Sequence, residues 1–345
     1  MPSTLYKSIA KPLLFLMPPE TSHDIAKWFF ERTWMWKRMC RYFSVEDDRL
    51  HAKIGHLNLK NPVGLAAGFD KNCEMITSLF CIGFGYLTLG TITAQPTEGN
   101  LKPRIWRYHN SSLLNSMGLP NKGSEIISRK IGEVERREGP LILSVSGLSI
   151  EEFVTCYREL EAIADGIELN ISTPNTIGVR AFQDPERLKL LLDAITAVRS
   201  QKPLWVKIPP YFDEKERENV LNLVDICLGK PVDAITAINT RRIKEERSSI
   251  GTAGLSGREI FQDMLRIVGE IYNYTQGKIP INACGGIFSG ADAWQAIESG
   301  ASSIQLYTGL IYEGPGITAN INRELLQKMN NSQLDSISEL TGTAR

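Results

Sequence analysis

Short apolar runs alternate with longer helical patterns from about residue 60 to the end of the chain, and this alternation restricts the fold more than any other feature. Eight runs have the length and composition of buried strands, and they are residues 61–67, 85–90, 141–146, 166–171, 204–208, 234–238, 279–283 and 303–307. Eight strands interleaved with helices over roughly 270 residues predict an α/β protein with a (β/α)₈ barrel. A doubly wound open sheet is the alternative. Against it, the glycine pattern at 83–88 lacks the last glycine of a nucleotide fingerprint and leads into a strand rather than a helix.

The composition is that of a globular core. The 345 residues allow one large α/β domain with an appendage or two ordinary domains, and 42% of them are apolar and 23% charged. A formal net charge of zero gives no reason to expect nucleic acid as a partner. The six cysteines are scattered without metal-ligand spacing, and all four histidines lie in the first third of the chain. We therefore expect reduced thiols, no metal site and no histidine-based triad.

Two carboxamides and a hydroxyl follow the fourth run within six residues. Asn170, Thr173 and Asn175 come directly after residues 166–169. In a barrel they would converge at the carboxyl end of a strand, where such folds keep their ligands. Asparagine offers a donor and an acceptor, so the pair suits a planar, amide-rich substrate, and the Thr173 hydroxyl is placed to move a proton. The alternative is that these residues are ordinary turn formers.

Polar, cationic and glycine positions follow the other strands as well. In chain order they are Gly68-Phe69-Asp70-Lys71, Thr91, Lys207, Asn239-Thr240, Gly285-Gly286 and Thr308-Gly309. All of them would meet at the active face of a barrel. The glycines after the seventh and eighth strands lie where such barrels bind a phosphate through backbone N–H groups.

Two of these residues are lysines that end apolar strands, and a buried ammonium requires a partner. The C2 carbonyl edge of a flavin is one suitable partner for Lys207, and Lys71 could reach both such a ring and an anionic substrate. Internal salt bridges, for example with Glu168, are the alternative.

The amino-terminal segment differs in composition. Residues 1–45 hold seven Lys or Arg against three Asp or Glu, together with three of the six tryptophans. The apolar run at 13–17 is far shorter than the roughly 20 residues needed to cross a bilayer. These features predict one or two amphipathic helices at a membrane interface. Packing on the main domain or on a second subunit is the alternative.

Several segments together resemble the dihydroorotate dehydrogenase family, in the family's order over nearly the whole chain. They are residues 61–71, 83–86, 90–93, 99–104, 170–176, 254–258 and 305–309. The amino-terminal segment, including residues 19–23, is similar to the extension of the membrane-associated, quinone-using class. The resemblance implies that residues 46–345 form an FMN-binding barrel and that residues 1–45 give access to the membrane and to quinone. It further implies oxidation of (S)-dihydroorotate to orotate in pyrimidine synthesis, by a peripheral protein on the cytoplasmic side of a bacterial inner membrane.

The resemblance also assigns residues. Flavin contacts fall on Ala67, Gly68, Phe69, Asp70, Lys71, Thr91, Asn170, Lys207, Ile238, Gly257, Gly286, Tyr307 and Thr308. Contacts with dihydroorotate or orotate fall on Lys71, Asn115, Ser116, Met117, Gly118, Leu119, Asn170, Asn175, Asn239 and Thr240. The base that removes the C5 proton falls on Thr173, with Lys71 beside the reacting ring.

Departures from the family pattern leave the electron acceptor open. Thr173 stands where the quinone class usually has Ser and the soluble class Cys, and its β-methyl restricts χ1. Leu119, Pro120 and residues 207–213 are similar to the soluble class, and Ile238 replaces a Thr. The alternatives are a soluble-type enzyme that uses fumarate or another acceptor, and a flavin-binding relative without turnover. Residues 241–254 are expected to form a polar surface loop, and residues 330–345 a frayed helix with a tail.

Overall fold

A closed barrel of eight parallel strands forms the centre of the protein. The structure is a computed structural model that describes residues 2–134 and 137–344. Within them the strands are β1 (Ala52–Ile54), β2 (Leu57–Leu59), β3 (Val63–Leu65), β4 (Tyr86–Ile92), β5 (Ile105–Tyr108), β6 (Ser112–Asn115), β7 (Leu141–Val145), β8 (Gly166–Asn170), β9 (Leu204–Lys207), β10 (Ala234–Ala237), β11 (Arg241–Lys244), β12 (Thr252–Gly257), β13 (Ile281–Cys284) and β14 (Ser303–Leu306).

The barrel order is β3-β4-β7-β8-β9-β10-β13-β14, and β14 pairs with β3 to close the ring. Each of the eight predicted runs contains one barrel strand or overlaps it, so the prediction of a (β/α)₈ barrel is confirmed and the open-sheet alternative is wrong. The runs were detectable because both faces of each barrel strand are covered, which favours continuous apolar sequence over alternation.

Helices surround the barrel and precede it. They are α1 (Pro2–Leu5), α2 (Lys11–Phe15), α3 (Pro19–Phe30), α4 (Thr33–Met39), α5 (Ile76–Cys81), α6 (Ser124–Gly132), α7 (Ile150–Leu160), α8 (Ile177–Arg180), α9 (Pro185–Val198), α10 (Glu214–Leu228), α11 (Phe261–Thr275), α12 (Gly290–Glu298), α13 (Thr308–Glu313) and α14 (Ile317–Ser332). A π-helical turn, Tyr6–Ala10, joins α1 to α2, and 3₁₀ turns occupy Cys40–Tyr42, Asp48–Leu50, Glu161–Ile163, Ala181–Gln183, Arg258–Ile260 and Ile337–Leu340.

Local sequence explains where several outer helices begin. The side chains of Ser149, Asp184 and Asp213 accept a hydrogen bond from the first turn of α7, α9 and α10. At α12 Ser289 and Asp292 form a capping box. These caps satisfy N–H groups that have no partner inside the helix, so each helix starts directly after the loop that leaves its strand.

An antiparallel sheet of four strands, in the order β11-β12-β6-β5, stands beside the mouth of the barrel. The prediction of a polar surface loop over residues 241–254 is therefore wrong at both ends, since Arg241–Lys244 and Thr252–Gly257 are paired strands. The sheet comes close to the barrel rim at Gly254. A Cβ there would lie 2.1 Å from Thr240 Oγ1 and 3.2 Å from Pro174 Cγ, so only glycine fits.

The amino-terminal helices pack on the barrel and still expose apolar side chains. The Tyr6 hydroxyl donates to the Ile311 carbonyl at 2.6 Å, and the Glu20 carboxylate accepts from the Arg104 N–H at 2.7 Å. The outward face carries large apolar side chains that are 45–85% exposed, namely Leu5, Ile9, Leu13, Leu16, Trp28, Phe29 and Trp34. Among the described residues no helix is both long and apolar enough to traverse a bilayer.

The carboxyl terminus is more ordered than expected. Helix α14 ends at Ser332, and the following turn buries Ile337 and Leu340 against the core. The Ala344 N–H then donates to the Glu298 carbonyl at 2.9 Å. The prediction of a frayed helix with a free tail is thus wrong up to residue 344, and Arg345 lies outside the described residues.

Candidate active site

One cavity opens at the carboxyl ends of the barrel strands and encloses about 1020 Å³, including its mouth. Nineteen of the predicted residues line it, and they are Ala67, Gly68, Lys71, Thr91, Asn115, Met117, Gly118, Leu119, Asn170, Thr173, Asn175, Lys207, Ile238, Asn239, Thr240, Gly257, Gly286, Tyr307 and Thr308. The parallel strands bring most of these distant positions together because all their carboxyl ends face the same side, and the antiparallel sheet beside the mouth contributes Asn115 and Gly257.

Asn170 is the centre of a hydrogen-bonded group on the cavity wall. Its Nδ2 donates to Thr91 Oγ1 at 2.8 Å, and its Oδ1 accepts from the Ser172 N–H at 3.3 Å. The Asn239 Nδ2 donates to Ser172 Oγ at 3.0 Å. These contacts hold the two carboxamides in one orientation before any ligand arrives, which is the preorganisation that a binding site requires.

Asn175 and Thr173 lie on the loop that follows β8. The Asn175 Nδ2 donates to Asn115 Oδ1 at 3.0 Å, while the buried Asn175 Oδ1 has no partner in the described structure. The Asn175 N–H donates to Thr173 Oγ1 at 3.4 Å, which orients a hydroxyl whose residue is only 6% exposed. A buried acceptor without a partner is costly, so Asn175 Oδ1 is suited to receive a donor from a ligand.

Both predicted lysines face the cavity without a carboxylate oxygen within 4.0 Å in the described parts of the chain. The Lys71 ammonium donates to the Gly68 carbonyl at 2.6 Å, and the Lys207 ammonium lies 3.9 Å from Cys284 Sγ. Burial, reinforced by the nearby charge of Arg104, lowers the pKa of Lys71 to about 8. Lys71 is therefore a cation at neutral pH, and the alternative of direct salt bridges for the two lysines is wrong.

Two glycines shape the opposite wall. Gly257 has φ 99° and Gly286 has φ 71°, a region that favours glycine. A Cβ on Gly257 would lie 2.5 Å from the Ser111 carbonyl oxygen, and one on Gly286 would lie 2.6 Å from Phe261 Cβ. The wall is thus bare backbone, which lets a ligand approach the main chain closely.

The structure adds two polar side chains that sequence reasoning missed, one directly after a predicted strand and one inside a predicted strand. Cys284 and Gln305 line the cavity floor. Gln305 donates from Nε2 to Thr88 Oγ1 at 3.1 Å, and its buried Oε1 has no partner in the described structure. A glutamine within an otherwise apolar run was the signal available in the sequence.

Three predicted residues do not line the cavity. Ser116 is fully buried, and its N–H donates to the Arg104 carbonyl at 2.8 Å. The Asp70 carboxylate accepts from backbone N–H groups at residues 74 and 75, and burial raises its pKa. Phe69 packs edge-on against His23 and Tyr307.

A second, mostly apolar cavity of about 940 Å³ lies between the amino-terminal helices and the barrel rim. Phe69 and His23 line it, and it shares Asn115, Ser256 and Tyr307 with the first cavity. Burial, with a smaller contribution from Lys71, lowers the pKa of His23 to about 3. The imidazole is therefore neutral at physiological pH, and this cavity suits an uncharged, apolar molecule.

The donor set of the first cavity fits a flat, amide-bearing ring system with an anionic tail. On the floor of the cavity Lys207 provides a cation and Gln305 an amide oxygen without a partner, and on the wall formed by Gly257 and Gly286 the main chain itself faces the cavity. The described residues contain no group of three or more His, Cys, Asp or Glu that could hold a metal ion.

Comparison with known proteins identifies the family. Residues 49–329 match the family model described as dihydroorotate dehydrogenase. The chain belongs to the dihydroorotate dehydrogenase family. It is 36% identical over 333 residues to the dihydroorotate dehydrogenase (quinone) of Rippkaea orientalis, with 90% of this chain and 87% of that protein covered. It is 34% identical to the enzyme of the same name from Gloeobacter violaceus, with 99% of each covered.

Solved members of the dihydroorotate dehydrogenase family share the whole architecture. Two crystal structures of DHODH from Eimeria tenella, one in complex with ferulenol and one ligand-free, superpose with TM-scores of 0.82 and 0.83 at 28% identity. They cover 94% of this chain, and this chain covers 95% and 99% of theirs. The family resemblance seen in the sequence is confirmed.

Proposed function

We propose that the protein oxidises (S)-dihydroorotate to orotate with bound FMN and passes the electrons to a quinone, as a step of pyrimidine synthesis. The observation that carries this proposal is the single cavity in which Lys71, Thr173 and Lys207 meet four asparagines, namely Asn115, Asn170, Asn175 and Asn239. The printed names of the relatives, dihydroorotate dehydrogenase (quinone), agree with it.

FMN would occupy the floor and the glycine wall. Lys207 and Gln305 would face the polar edge of the isoalloxazine ring, and the backbone at Gly257 and Gly286 would receive the phosphate. When bound, FMN supplies the acceptor for the hydride that leaves C6 of dihydroorotate.

Dihydroorotate would lie between that ring and the loop after β8. Its carboxylate requires a cation, and Lys71 is protonated at neutral pH because its pKa is about 8. Its ring alternates C=O and N–H groups, which match the donors and acceptors of Asn115, Asn175 and Asn239. The unpaired Asn175 Oδ1 is the clearest acceptor for a ring N–H.

Thr173 would take the proton from C5 onto Oγ1 while its own hydroxyl proton passes on toward solvent, so that the side chain is neutral before and after the step. Its hydroxyl already accepts from the Asn175 N–H, which fixes its direction, and the buried loop excludes water from the reacting carbon. The β-methyl of threonine restricts χ1 rotation, so the hydroxyl has fewer orientations than that of a serine would have.

Quinone would enter through the second cavity. That cavity reaches the first at Tyr307, and the helices that cover it carry the exposed apolar residues and the excess of basic residues in the amino-terminal segment. Such a surface fits the interface of an anionic membrane. We accordingly place the protein at the cytoplasmic face of a bacterial inner membrane, bound peripherally through residues 1–45.

The test is turnover of purified protein with dihydroorotate and either a water-soluble quinone or fumarate. The proposal expects bound flavin, flavin reduction by dihydroorotate, and reoxidation by quinone. Reoxidation by fumarate alone would instead indicate a soluble-type enzyme, and a protein that holds flavin without reducing it would be a non-catalytic relative. A protein that retains no flavin would refute all three functions.

A substitution at Thr173 tests its role. Thr173→Ala should slow flavin reduction by dihydroorotate by at least about 10²-fold, the usual effect of losing a general base, while flavin stays bound. Thr173→Ser keeps the hydroxyl and is the matched control, expected to retain most of the rate. An alanine variant as fast as the wild type would show that another group takes the proton.

A further inference from the structure

The barrel interior beneath the candidate site is polar, although parallel barrels usually fill this space with Val, Ile and Leu. Five fully buried residues from five different strands take part, and they are Tyr86, Glu168, Thr236, Asn282 and Ser303. None of them lines either the first cavity or the second. Such a costly group of buried polar residues requires a physical reason.

Four hydrogen bonds of this group lead in sequence to one oxygen of a single carboxylate, whose other oxygen, Glu168 Oε1, has no partner among the described residues. Ser303 Oγ donates to Asn282 Oδ1 at 2.8 Å, so the Tyr86 hydroxyl, 2.7 Å from Ser303 Oγ, is the donor in that pair. Asn282 Nδ2 then donates to Thr236 Oγ1 at 3.3 Å, and Thr236 Oγ1 donates to Glu168 Oε2 at 2.7 Å. Aligned donors of this kind stabilise a negative charge at their end, which is Glu168.

Lys207 lies close to this carboxylate in the barrel. Its register partners are Asn170 on β8 and Thr236 on β10. Glu168 precedes Asn170 by two residues, so its side chain enters the interior on the same side of the strand, one layer deeper. The ammonium and the carboxylate are more than 4.0 Å apart, so they interact through space rather than as a direct pair.

The charges facing Lys207 identify its electrostatic partner. Burial by itself lowers the pKa of Lys207, but Cys284 and Glu168 outweigh this effect, and the pKa is raised. Burial raises the pKa of the Cys284 thiol and of the Tyr86 hydroxyl, so both are neutral at pH 7. Of the two groups that raise the pKa of Lys207, the thiol is then uncharged, which leaves the Glu168 side chain as the partner of the buried ammonium.

We propose that Glu168 is a positioning residue that keeps Lys207 protonated beneath the flavin and thereby sets the electron affinity of the bound cofactor. The proposal rests on the FMN binding proposed above. Glu168 touches neither cofactor nor substrate in this arrangement and acts only through Lys207. The directed hydrogen bonds from Tyr86 through Thr236 keep its charge in place.

The experiment compares Glu168→Gln with Thr236→Val. The glutamine keeps the volume and the acceptor for Thr236 but removes the charge, whereas the valine breaks the same hydrogen bonds and leaves the charge. The measurement is the midpoint potential of the bound flavin as a function of pH between about 6 and 9, a range into which a buried lysine without a counter-ion can titrate. We expect a new inflection in Glu168→Gln that is absent from the wild type and from Thr236→Val.

Two further variants show whether Lys207 is the group that titrates at the inflection. It should disappear in the double variant Glu168→Gln/Lys207→Gln, because the titrating group is then gone, and Glu168→Asp, which restores a carboxylate, should also lack it. An unchanged profile in Glu168→Gln, an inflection that persists in the double variant, or the same inflection in Thr236→Val would each overturn the proposal.

A variant that loses flavin is still informative through the dissociation constant for FMN. Lys207→Gln and Glu168→Gln should each weaken the binding of FMN. The double variant should bind FMN at least about tenfold more tightly than the two single effects added together predict, because removing both charges leaves neither of them unpaired. Additive effects would overturn the proposal. Absence of flavin from the wild-type protein would instead refute the proposed function itself.

Discussion

Glu74 is surrounded by three lysines, and removing its charge tests how the amino-terminal helices are held to the barrel. Its carboxylate lies 2.5 Å from Lys27 on α3 and 2.8 Å from Lys122, and it also pairs with Lys130 on α6. The Glu74 side chain is only 10% exposed. Substitution of Glu74 by Gln keeps the shape and removes the attraction to all three ammonium groups.

The magnitude follows from the pKa of Glu74. Burial raises this pKa, but the hydrogen bonds and charges of the three lysines outweigh burial and lower it from 4.5 to about 2. At about 1.36 kcal/mol per pKa unit, the shift of about 2.5 units corresponds to at most about 3.4 kcal/mol of folding free energy. The lysine side chains are 32%, 48% and 35% exposed, so solvent screening reduces the expected value to about 1–2 kcal/mol.

The pH dependence has a definite sign. The folded-state pKa of Glu74 is depressed, so its contribution is complete above the unfolded-state value of 4.5 and is lost as pH falls toward about 2. Glu74→Gln should therefore unfold about 2 °C below the wild type at pH 7, and the gap should narrow between pH 5 and pH 3. Thermal unfolding followed by fluorescence in low-salt buffer measures both quantities.

The control for Glu74 is Glu125→Gln. Glu125 pairs with Arg129 one helical turn away, but its side chain is 80% exposed, so its loss should leave the unfolding temperature unchanged. The electrostatic explanation would be refuted if Glu74→Gln matched the wild type at pH 7. It would also be refuted if the gap were as large at pH 3 as at pH 7, because a packing defect does not depend on pH.

Three further substitutions or deletions test the site and the amino-terminal segment. Gly257→Ala places a Cβ 2.5 Å from the Ser111 carbonyl oxygen at a residue with φ 99°, so we expect the affinity for FMN, measured by equilibrium dialysis, to fall about tenfold or more. The control is Gly132→Ala, whose Cβ would meet nothing within 4 Å and which should bind FMN as the wild type does. The pKa of Lys71, lowered by burial to about 8, predicts that the KM for dihydroorotate rises as pH passes 8 and the cation is lost, and a constant KM up to pH 9.5 would contradict this. Deletion of residues 1–45 should abolish co-sedimentation with anionic vesicles and impair quinone reduction while single-turnover flavin reduction persists, and continued binding to vesicles would exclude the membrane role.

The barrel could be predicted because its strands are fully buried, which gives each an apolar run without alternation. The four-stranded antiparallel sheet beside the mouth of the barrel could not be predicted from the sequence. Arg241–Lys244 alternates between half-buried and exposed positions and carries three basic residues, so its composition is that of a loop, and only long-range pairing with β12 makes it a strand.

Some residues of the candidate site could likewise be predicted from the sequence, and others could not. Lys207 was predictable because a charge at the end of an apolar run is conspicuous. Gln305 was missed because it was treated as part of a strand, and Cys284 because it was considered only as one of six scattered thiols, although both lie on the cavity floor at the carboxyl ends of strands. Phe69 and Ser116 were predicted through their neighbours in the sequence, but neither lines the first cavity, because Phe69 packs against His23 and Tyr307 and Ser116 is fully buried.

Asn115, Ser256 and Tyr307 form a partition one side chain thick between the two cavities. In the proposed enzyme a compound that fills the apolar chamber would compete with the lipid-soluble oxidant and leave the polar substrate undisturbed. Substitutions that cause resistance to such an inhibitor could occur at residues that line only the apolar cavity. An inhibitor that contacts the partition would allow fewer resistance substitutions, because any residue changed there also borders the cavity in which the reaction takes place.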